Sequence, residues 1–533
     1  MNDFYKPNLQ GICCNDSPED PSFSSIYRNI RCFTENDGQT FGTFPRFPTI
    51  FTLRDLLYNI ADTYNAFPAF GSKSDHNTIE WITYHEFYEL VFSFSLGLKH
   101  IGVQAGQSVA VIMESSTWFA LSQWSLGFYG AVMVPIRVNQ DQKVIPIIID
   151  VLDCHYLLCS IETFPLISLL ASRSKKLQAI IIVCDSQNLQ NISEKVTNFK
   201  NKQHSIPVYD LPKLLEDSSN EEKIFQQIYA TSPAVISFGS ATCGTLNPSI
   251  LTHANVIASA VGLTSSGYHF GRDIYLSTIP MYYIFERSMQ LVILAYGGCI
   301  GFVEGEYIEA LKLLKPTIIS FTGQEIEIFA DDILQETSGT NWFKRVLLDF
   351  VFSVVSQTEE ANIKIPWLFE NTILESLKQK VGGRLKLIVT SMMDAQVRVL
   401  HFLRTVLQVP IIQVYGTAET GGVISVQHVS SVGYTNVGAP CTSCEIKLRD
   451  FDEARIKVKD DKMGEILVKG QNVFVGYKGN KNLTKKVLSD DGWFATGDIG
   501  RINMNGEIEL SDTVQNFRIR MRPFRRNVNE NEN

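Results

Sequence analysis

The sequence predicts an α/β fold of parallel sheets crossed by helices, ending in a smaller β-rich subdomain. Three observations carry that prediction. Apolar runs of strand length, such as Val109–Met113, Tyr156–Cys159 and Ala179–Cys184, alternate with runs of helix length. Strand–helix–strand order of this kind implies parallel strands joined by crossover helices. After about residue 435 the rhythm changes to short strands with Gly and Asn turns (Glu445–Leu448, Gly464–Val468, Gly506–Leu510), the pattern of an antiparallel or barrel-like sheet. Finally, 533 residues at 45% hydrophobic and 19% charged give enough apolar side chain to fill several subdomains.

Taken in order, residues 1–45 are rich in Pro, Asn, Asp and Ser and read as an irregular N-terminal arm. A helix follows over Leu53–Tyr64, with Thr52 and Asp55 suited to its N-terminus and Leu56, Leu57, Ile60 and Ala61 on one face. Tyr84–Ile101 is a second amphipathic helix. Val109–Met113 is a buried strand, Trp118–Tyr129 a helix and Ala131–Pro135 a strand. Val144–Leu152 is a helix with Pro146 in its first turn. Residues 186–230 are polar, with weak helices near Leu214 and Phe225, and read as a surface excursion within one domain. Ala234–Phe238, Ile274–Pro280, Ile318–Phe321, Leu385–Thr390 and Ile411–Tyr415 are further strands. Helices follow through Leu294, after Phe321, within 340–380 and over Ala395–Leu407. The expected division is an arm (1–45), a parallel αβ region (46–434), a β-rich subdomain (435–512) and a disordered basic tail (513–533). No repeat of fixed period is present.

Composition narrows the function. A net charge of −9 gives no general affinity for nucleic acid. Met1–Asn29 is polar with acidic residues and does not read as a signal peptide. Trp124–Ile136, the most apolar run, carries two glycines and a proline and is too short to span a bilayer. A cytoplasmic protein is expected, with its scattered cysteines as buried thiols in a reducing compartment. Cys441-Thr442-Ser443-Cys444 is a lone CxxC without a second ligand pair and reads as strand-and-turn cysteines. The tail carries Arg518, Arg520, Arg522, Arg525 and Arg526. It reads as a solvated end, with peripheral contact to anionic lipid as the sharper alternative.

The chain is organised around Pro233–Asn255. A buried strand (Ala234–Phe238) leads into a loop of small residues, a second apolar run, and a helix opening at Thr252. Ser, Gly and Thr after a strand allow main-chain N–H groups and hydroxyls to close around phosphate. A plain strand-to-helix turn uses the same residue types, and no Gly-Lys-Ser/Thr follows.

The flanks of this loop, Ala-Val-Ile before it and Leu251-Thr-His-Ala-Asn255 after it, resemble the AMP-binding signature of adenylate-forming enzymes, the acyl-CoA synthetase superfamily. In that register Ser240, Thr242 and Gly244 fall on family positions. Tyr415-Gly416-Thr-Ala-Glu419 resembles the family's Tyr-Gly-x-Thr-Glu, in which the tyrosine packs on adenine and the glutamate holds magnesium. The resemblance therefore gives Tyr415 and Gly416 to nucleotide binding, and Glu419, with help from Thr242, to the metal. Glu419 is the implied catalytic residue. Gly492-Trp-Phe-Ala-Thr-Gly-Asp498 is similar to Gly-Trp-x-x-Thr-Gly-Asp, which assigns Asp498 to the ribose hydroxyls. Gly464–Gly470 and Gly476-Tyr477 also match. Pro280–Arg287, Leu314-Lys-Pro-Thr317, Lys344–Asp349, Gly382–Leu387 and Val437–Pro440 resemble the long-chain acyl-CoA synthetases.

The likeness covers roughly residues 50–512 and implies the large N-terminal domain of such an enzyme: two parallel αβ subdomains and a small β-barrel-like one. The implied substrate is a long-chain fatty acid, with ATP, Mg2+ and coenzyme A as co-reactants. Several positions depart. Asn247 stands where the family has a phosphate-binding lysine, beside Pro248. Ala418 replaces a threonine, Ser391-Met-Met-Asp394 stands where small residues line the adenine, Tyr283 replaces a histidine, Gly323-Gln324 replaces Pro-Arg, and Thr513 follows Asp512 in place of an arginine. After Asp512 the likeness stops, so the C-terminal lid domain and its lysine are expected to be absent. Three readings follow: an acyl-CoA synthetase-like protein with impaired or no catalysis, acting as a fatty-acid binder or scaffold for active paralogues; an active long-chain fatty acid–CoA ligase; or a product that runs on past Asp512.

Overall fold

The structure is a computed structural model that describes residues 9–14, 20–74, 76–170, 173–185, 206–239, 247–338, 375–391, 395–431, 433–452 and 455–513. Three sheets are formed among these residues. The first has eight strands. Six of them, Pro233–Phe238, Val132–Pro135, Ser108–Ile112, Tyr156–Cys159, Ala179–Ile182 and Val208–Asp210, run parallel in that spatial order. Pro248–Thr252 and then Gly476–Tyr477 extend it antiparallel at one edge. The parallel strands bury both faces, which is why they read as continuous apolar runs: Val109, Ala110, Val111 and Ile112 are all 0% exposed.

The second sheet has nine strands around a parallel centre of Ile411–Tyr415, Leu387–Ser391, Ile318–Thr322, Ile274–Leu276, Cys299–Phe302 and Pro68–Lys73. The third has six antiparallel strands, including Cys444–Arg449, Met463–Gly470, Phe494–Ile502 and Ile508–Thr513. The expected α/β class, with two parallel-sheet layers and a smaller antiparallel one, is what forms. One hydrophobic cluster runs through all three sheets. At its centre lie the helices His253–Leu263 and Ile284–Ala295, whose side chains are almost all buried.

Two expectations need correction. The described part of the N-terminal arm holds two short strands: Gly11–Cys13 and Tyr27–Asn29 pair with each other, and Tyr27–Asn29 pairs with Cys444–Arg449, joining the third sheet. Strands of three residues have too little internal pattern to announce themselves, and Tyr27–Asn29 is fixed by a partner, Ile446, more than 400 residues away. No helix forms around Phe225. The carbonyls of Glu222 and Ile224 accept from Lys99 Nζ and that of Gln226 from Arg54, while the Phe225 ring sits edge-on to Phe92, Phe128 and Tyr129. Among the described residues, no helix is long and apolar enough to cross a membrane. The basic tail lies outside them.

Candidate functional site

The site is built where the second and third sheets meet. Ile411–Tyr415 ends on Gly416, and a single 3-10 turn, Ala418–Thr420, follows before Gly421 and Gly422. The loop folds back on itself so closely that a Cβ on Gly416 would come within 2.2 Å of the Gly422 carbonyl carbon. Gly422 has φ +86°, and a side chain there would meet the Phe285 backbone at 2.8 Å. Only glycine fits both demands. The compact turn fixes the backbone of Glu419 at its apex, where its carbonyl accepts from Phe474 N at 2.8 Å.

Two phenols hold the two acidic groups. Tyr477 Oη donates to Glu419 Oε1 at 2.8 Å, and Tyr415 Oη donates to Asp498 Oδ2 at 2.7 Å. The Asp498 backbone N–H is held by Thr496 Oγ1, which itself donates to Ile466 O. Burial pushes the Asp498 carboxyl up to about 6. The Tyr415 hydrogen bond works against that shift, and the nearby charges of Glu419 and Glu465 add to it. Tyr415, Gly416, Glu419 and Asp498 are thus brought into one site. Ser240, Thr242 and Gly244 lie outside the described residues, as do Met392, Met393 and Asp394. The strands flanking the first group are described: Phe238 lies opposite Pro248 in an antiparallel pair. Ser249, the next residue, pairs with Tyr477, the residue that holds Glu419. The roots of the small-residue loop therefore lie one strand from the acidic site.

This donor set fits a nucleotide with a divalent cation. Glu419 lies near enough to Asp498 to raise its pKa. Carboxylate oxygens are what a hard cation and sugar hydroxyls require.

Several residues around the site are not apparent from the motifs. Tyr477 had a signal, since it closes a matching stretch, but its hydroxyl's target did not. Asn255 completes a capping box with Thr252. Its Nδ2 also donates to Gln471 O at 2.7 Å and Val473 O at 2.9 Å, which pins the loop before Phe474. His253 is a structural residue: its Nδ1 accepts from Leu53 N, and burial beside Arg54 lowers its pKa to about 4, so it is neutral. Arg137 lies over the rings of Tyr282 and Tyr283, at 4.9 and 5.2 Å from their centroids.

The Ile284–Ala295 helix carries two adjacent buried charges. Glu286 accepts from Tyr275 Oη and Ser277 Oγ at 2.6 Å and from Gln290 and Ser320 at 3.2 Å. Burial nevertheless raises its pKa to about 7. Arg287 lines a small apolar cavity with Leu53, Met133, Val256, Ile284 and Gln123. Its Nη1 reaches Met133 Sδ at 3.7 Å, whereas Nε and Nη2, like Gln123 Oε1, find no partner among the described residues.

Residues 60–478 match the family described as AMP-binding enzyme. The chain is 26% identical over 483 residues to long chain acyl-CoA synthetase 6, peroxisomal, of Arabidopsis thaliana, covering 89% of this chain and 68% of that protein. It is 27% identical over 480 residues to long-chain-fatty-acid–CoA ligase 1 of Cavia porcellus, covering 86% and 66%. Among solved structures, the adenylation domain of a carboxylate reductase from Mycobacterium chelonae superposes with a TM-score of 0.70 at 17% identity, over 88% of this chain and 72% of that one. A long-chain-fatty-acid-CoA ligase from Archaeoglobus fulgidus gives 0.67 at 16% identity, over 89% and 86%. The A domain of a carboxylic acid reductase from Segniliparus rugosus, in complex with AMP and a co-purified carboxylic acid, gives 0.69 at 18% identity, over 87% and 74%. With the family match spanning most of the sequence and the fold agreeing over nearly all of it, the chain belongs to the AMP-binding enzyme family and has the long-chain acyl-CoA synthetases among its relatives.

Proposed function

We propose that this acyl-CoA synthetase-like chain binds Mg-ATP and a long-chain fatty acid, and that its adenylate-forming step is impaired. The observation that carries the binding half is the convergence of Tyr415–Asp498 and Tyr477–Glu419 at one junction. Asp498 accepts the ribose hydroxyls, Glu419 holds the cation, and Tyr415 and Gly416 form the wall against the base. Bound Mg-ATP supplies the phosphorus that a fatty-acid carboxylate attacks, with pyrophosphate leaving. Coenzyme A is the family's acceptor.

Impairment is supported by the phosphate end. Asn247 is neutral where a positive charge would stabilise the transferring phosphates, and such charge stabilisation is usually the largest catalytic term. Pro248 removes an N–H next to it, and Ala418 removes a hydroxyl from the Glu419 turn. The competing reading, an active long-chain fatty acid–CoA ligase, is favoured by the intact acidic pair.

Calorimetric titration with Mg-ATP, with and without a long-chain fatty acid, tests both readings when AMP is followed in the same samples. Binding with little AMP release is expected. Fatty-acid-dependent AMP release that Glu419→Ala abolishes would replace the proposal with the active ligase. Absence of binding in both conditions would overturn the nucleotide site itself.

A further inference from the structure

The CxxC motif has a geometry that its sequence did not announce. Cys441 and Cys444 bracket the turn between Ala439–Pro440 at the edge of the second sheet and Cys444–Arg449 in the third. Both side chains are 0% exposed, and their sulfurs lie 3.4 Å apart. Backbone bonds hold the turn at this separation: Cys444 N donates to Cys441 O, and Cys441 N to Ile424 O at 2.8 Å. Gly262 of the neighbouring helix leaves room for the first sulfur, since a Cβ there would come within 2.9 Å of Cys441 Sγ.

The two sulfurs are not equivalent. Cys441 Sγ sits 3.2 Å from Ser443 Oγ, a hydroxyl able to donate to it, and 3.4 Å from the Cys444 thiol. Cys444 Sγ has an acceptor, Ile424 O, at 3.3 Å. Cys444's one S–H can point to Ile424 O or to Cys441 Sγ, whereas Cys441 Sγ has two possible donors, the Ser443 hydroxyl and the Cys444 thiol, and is the sulfur better placed to carry charge. Donors on Cys441 favour its thiolate against the cost of burial, while donation by Cys444 keeps its own proton. The more readily ionised sulfur in contact with a thiol is the arrangement of an attacking and a resolving cysteine.

We infer that Cys441 and Cys444 are a site of reversible oxidation that closes into an intrachain disulfide under a small uncharged oxidant such as hydrogen peroxide. The Cys441 thiolate attacks one peroxide oxygen, the O–O bond breaks, and the other oxygen leaves as hydroxide and takes a proton to become water. Cys441 is then a sulfenic acid. Cys444 sulfur attacks Cys441 sulfur, the S–O bond breaks, and the departing hydroxide takes the Cys444 proton as a second water. Two thiols and one peroxide give one disulfide and two waters, with two electrons passing from sulfur to oxygen. Closing the sulfurs from contact to bonding distance needs a movement of roughly 1.4 Å, within one turn. Cys32, whose Sγ lies 3.6 Å from Thr442 O, is the neighbouring thiol that competes for the link.

The test uses the full chain. Folded protein is treated with peroxide, then denatured in excess N-ethylmaleimide and digested, and the peptide holding both cysteines is weighed. The expected product is that peptide about 2 Da lighter and unalkylated at both positions, restored by dithiothreitol. Cys444→Ser should leave Cys441 as a dimedone-reactive sulfenic acid, and Cys441→Ser should leave Cys444 alkylatable. Full alkylation of both cysteines after treatment, oxygen addition without linkage, or a link from either to Cys32 would each overturn the assignment.

Discussion

Tyr415 Oη donates a 2.7 Å hydrogen bond to Asp498 Oδ2, so a strand end of the second sheet is tied through its side chain to the third sheet. The bond favours the charged carboxylate and offsets the burial that raises Asp498 to about 6. Tyr415→Phe keeps the ring and removes the donor, so the Asp498 pKa should rise further. Its protonated fraction then grows across pH 6–8, and in the ribose role proposed for Asp498 the ionised carboxylate is the better acceptor. Mg-ATP affinity of the variant should therefore fall more steeply than wild type between pH 8 and pH 6, and calorimetry at the two pH values reads this. Urea unfolding at pH 7 should show a loss of about 1 kcal/mol for the missing bond. Parallel pH profiles for the two proteins would separate Tyr415 from Asp498's ionisation.

Asn255 joins three elements with one side chain. Its Oδ1 accepts from Thr252 N, and its Nδ2 donates to the carbonyls of Gln471 and Val473. Asn255→Ala removes all three and leaves buried groups unpaired, which should cost about 2–4 kcal/mol in chemical denaturation. Asn255→Asp is predicted to be little better, because a carboxylate caps Thr252 but faces the two carbonyls with oxygen instead of N–H. A near-neutral Asn255→Asp would show that capping, and not the tie to the third sheet, is what the residue supplies.

These two ties show what was legible. The motif residues Tyr415, Glu419 and Asp498 stand out in the sequence, but their partners do not. Tyr415 and Asp498 are 83 residues apart and Glu419 and Tyr477 are 58 apart, and nothing local specifies which hydroxyl meets which carboxylate. Elements with a strong internal pattern were legible to the residue: Leu53–Tyr64 has a capping threonine and a single apolar face, and Ile411–Tyr415 is an uninterrupted buried run. The Pro68–Lys73 and Ile79–Thr83 hairpin was not. Its first strand begins on proline and contains glycine and serine, and it forms because Phe70 and Gly71 are completed by Ile300 and Gly301 of a distant strand.

Arg287 is a buried cation without a carboxylate partner among the described residues, and burial lowers its pKa to about 9. At neutral pH it remains charged, so the fold bears the cost of desolvating it. Replacing a buried charge by an apolar side chain of similar length is often stabilising, by about 1–4 kcal/mol. Arg287→Met keeps the contact with Met133 and should raise the urea midpoint. A large destabilisation instead would mean that the guanidinium is satisfied in solution, through ordered water or an anion in the cavity beside Gln123.

Glu286 offers a pH test that the other shifted groups do not obscure. Its folded pKa, about 7, lies above the ordinary carboxylate value, so the folded state holds a proton that the unfolded state releases. Stability should therefore fall as pH rises through 7. Asp498, at about 6, acts in the same direction but is mostly ionised by the middle of that range. His253, neutral in the fold with a pKa near 4, acts in the opposite direction and only below the ordinary imidazole value. Between pH 6.5 and 8 Glu286 is thus the main contributor among these three groups, worth about 1 kcal/mol across the range. Glu286→Gln keeps an acceptor for Tyr275 or Ser277 and cannot ionise. Its stability at pH 8 relative to pH 6.5 should be flat where wild type declines, and equal slopes in the two proteins would place the titrating group elsewhere.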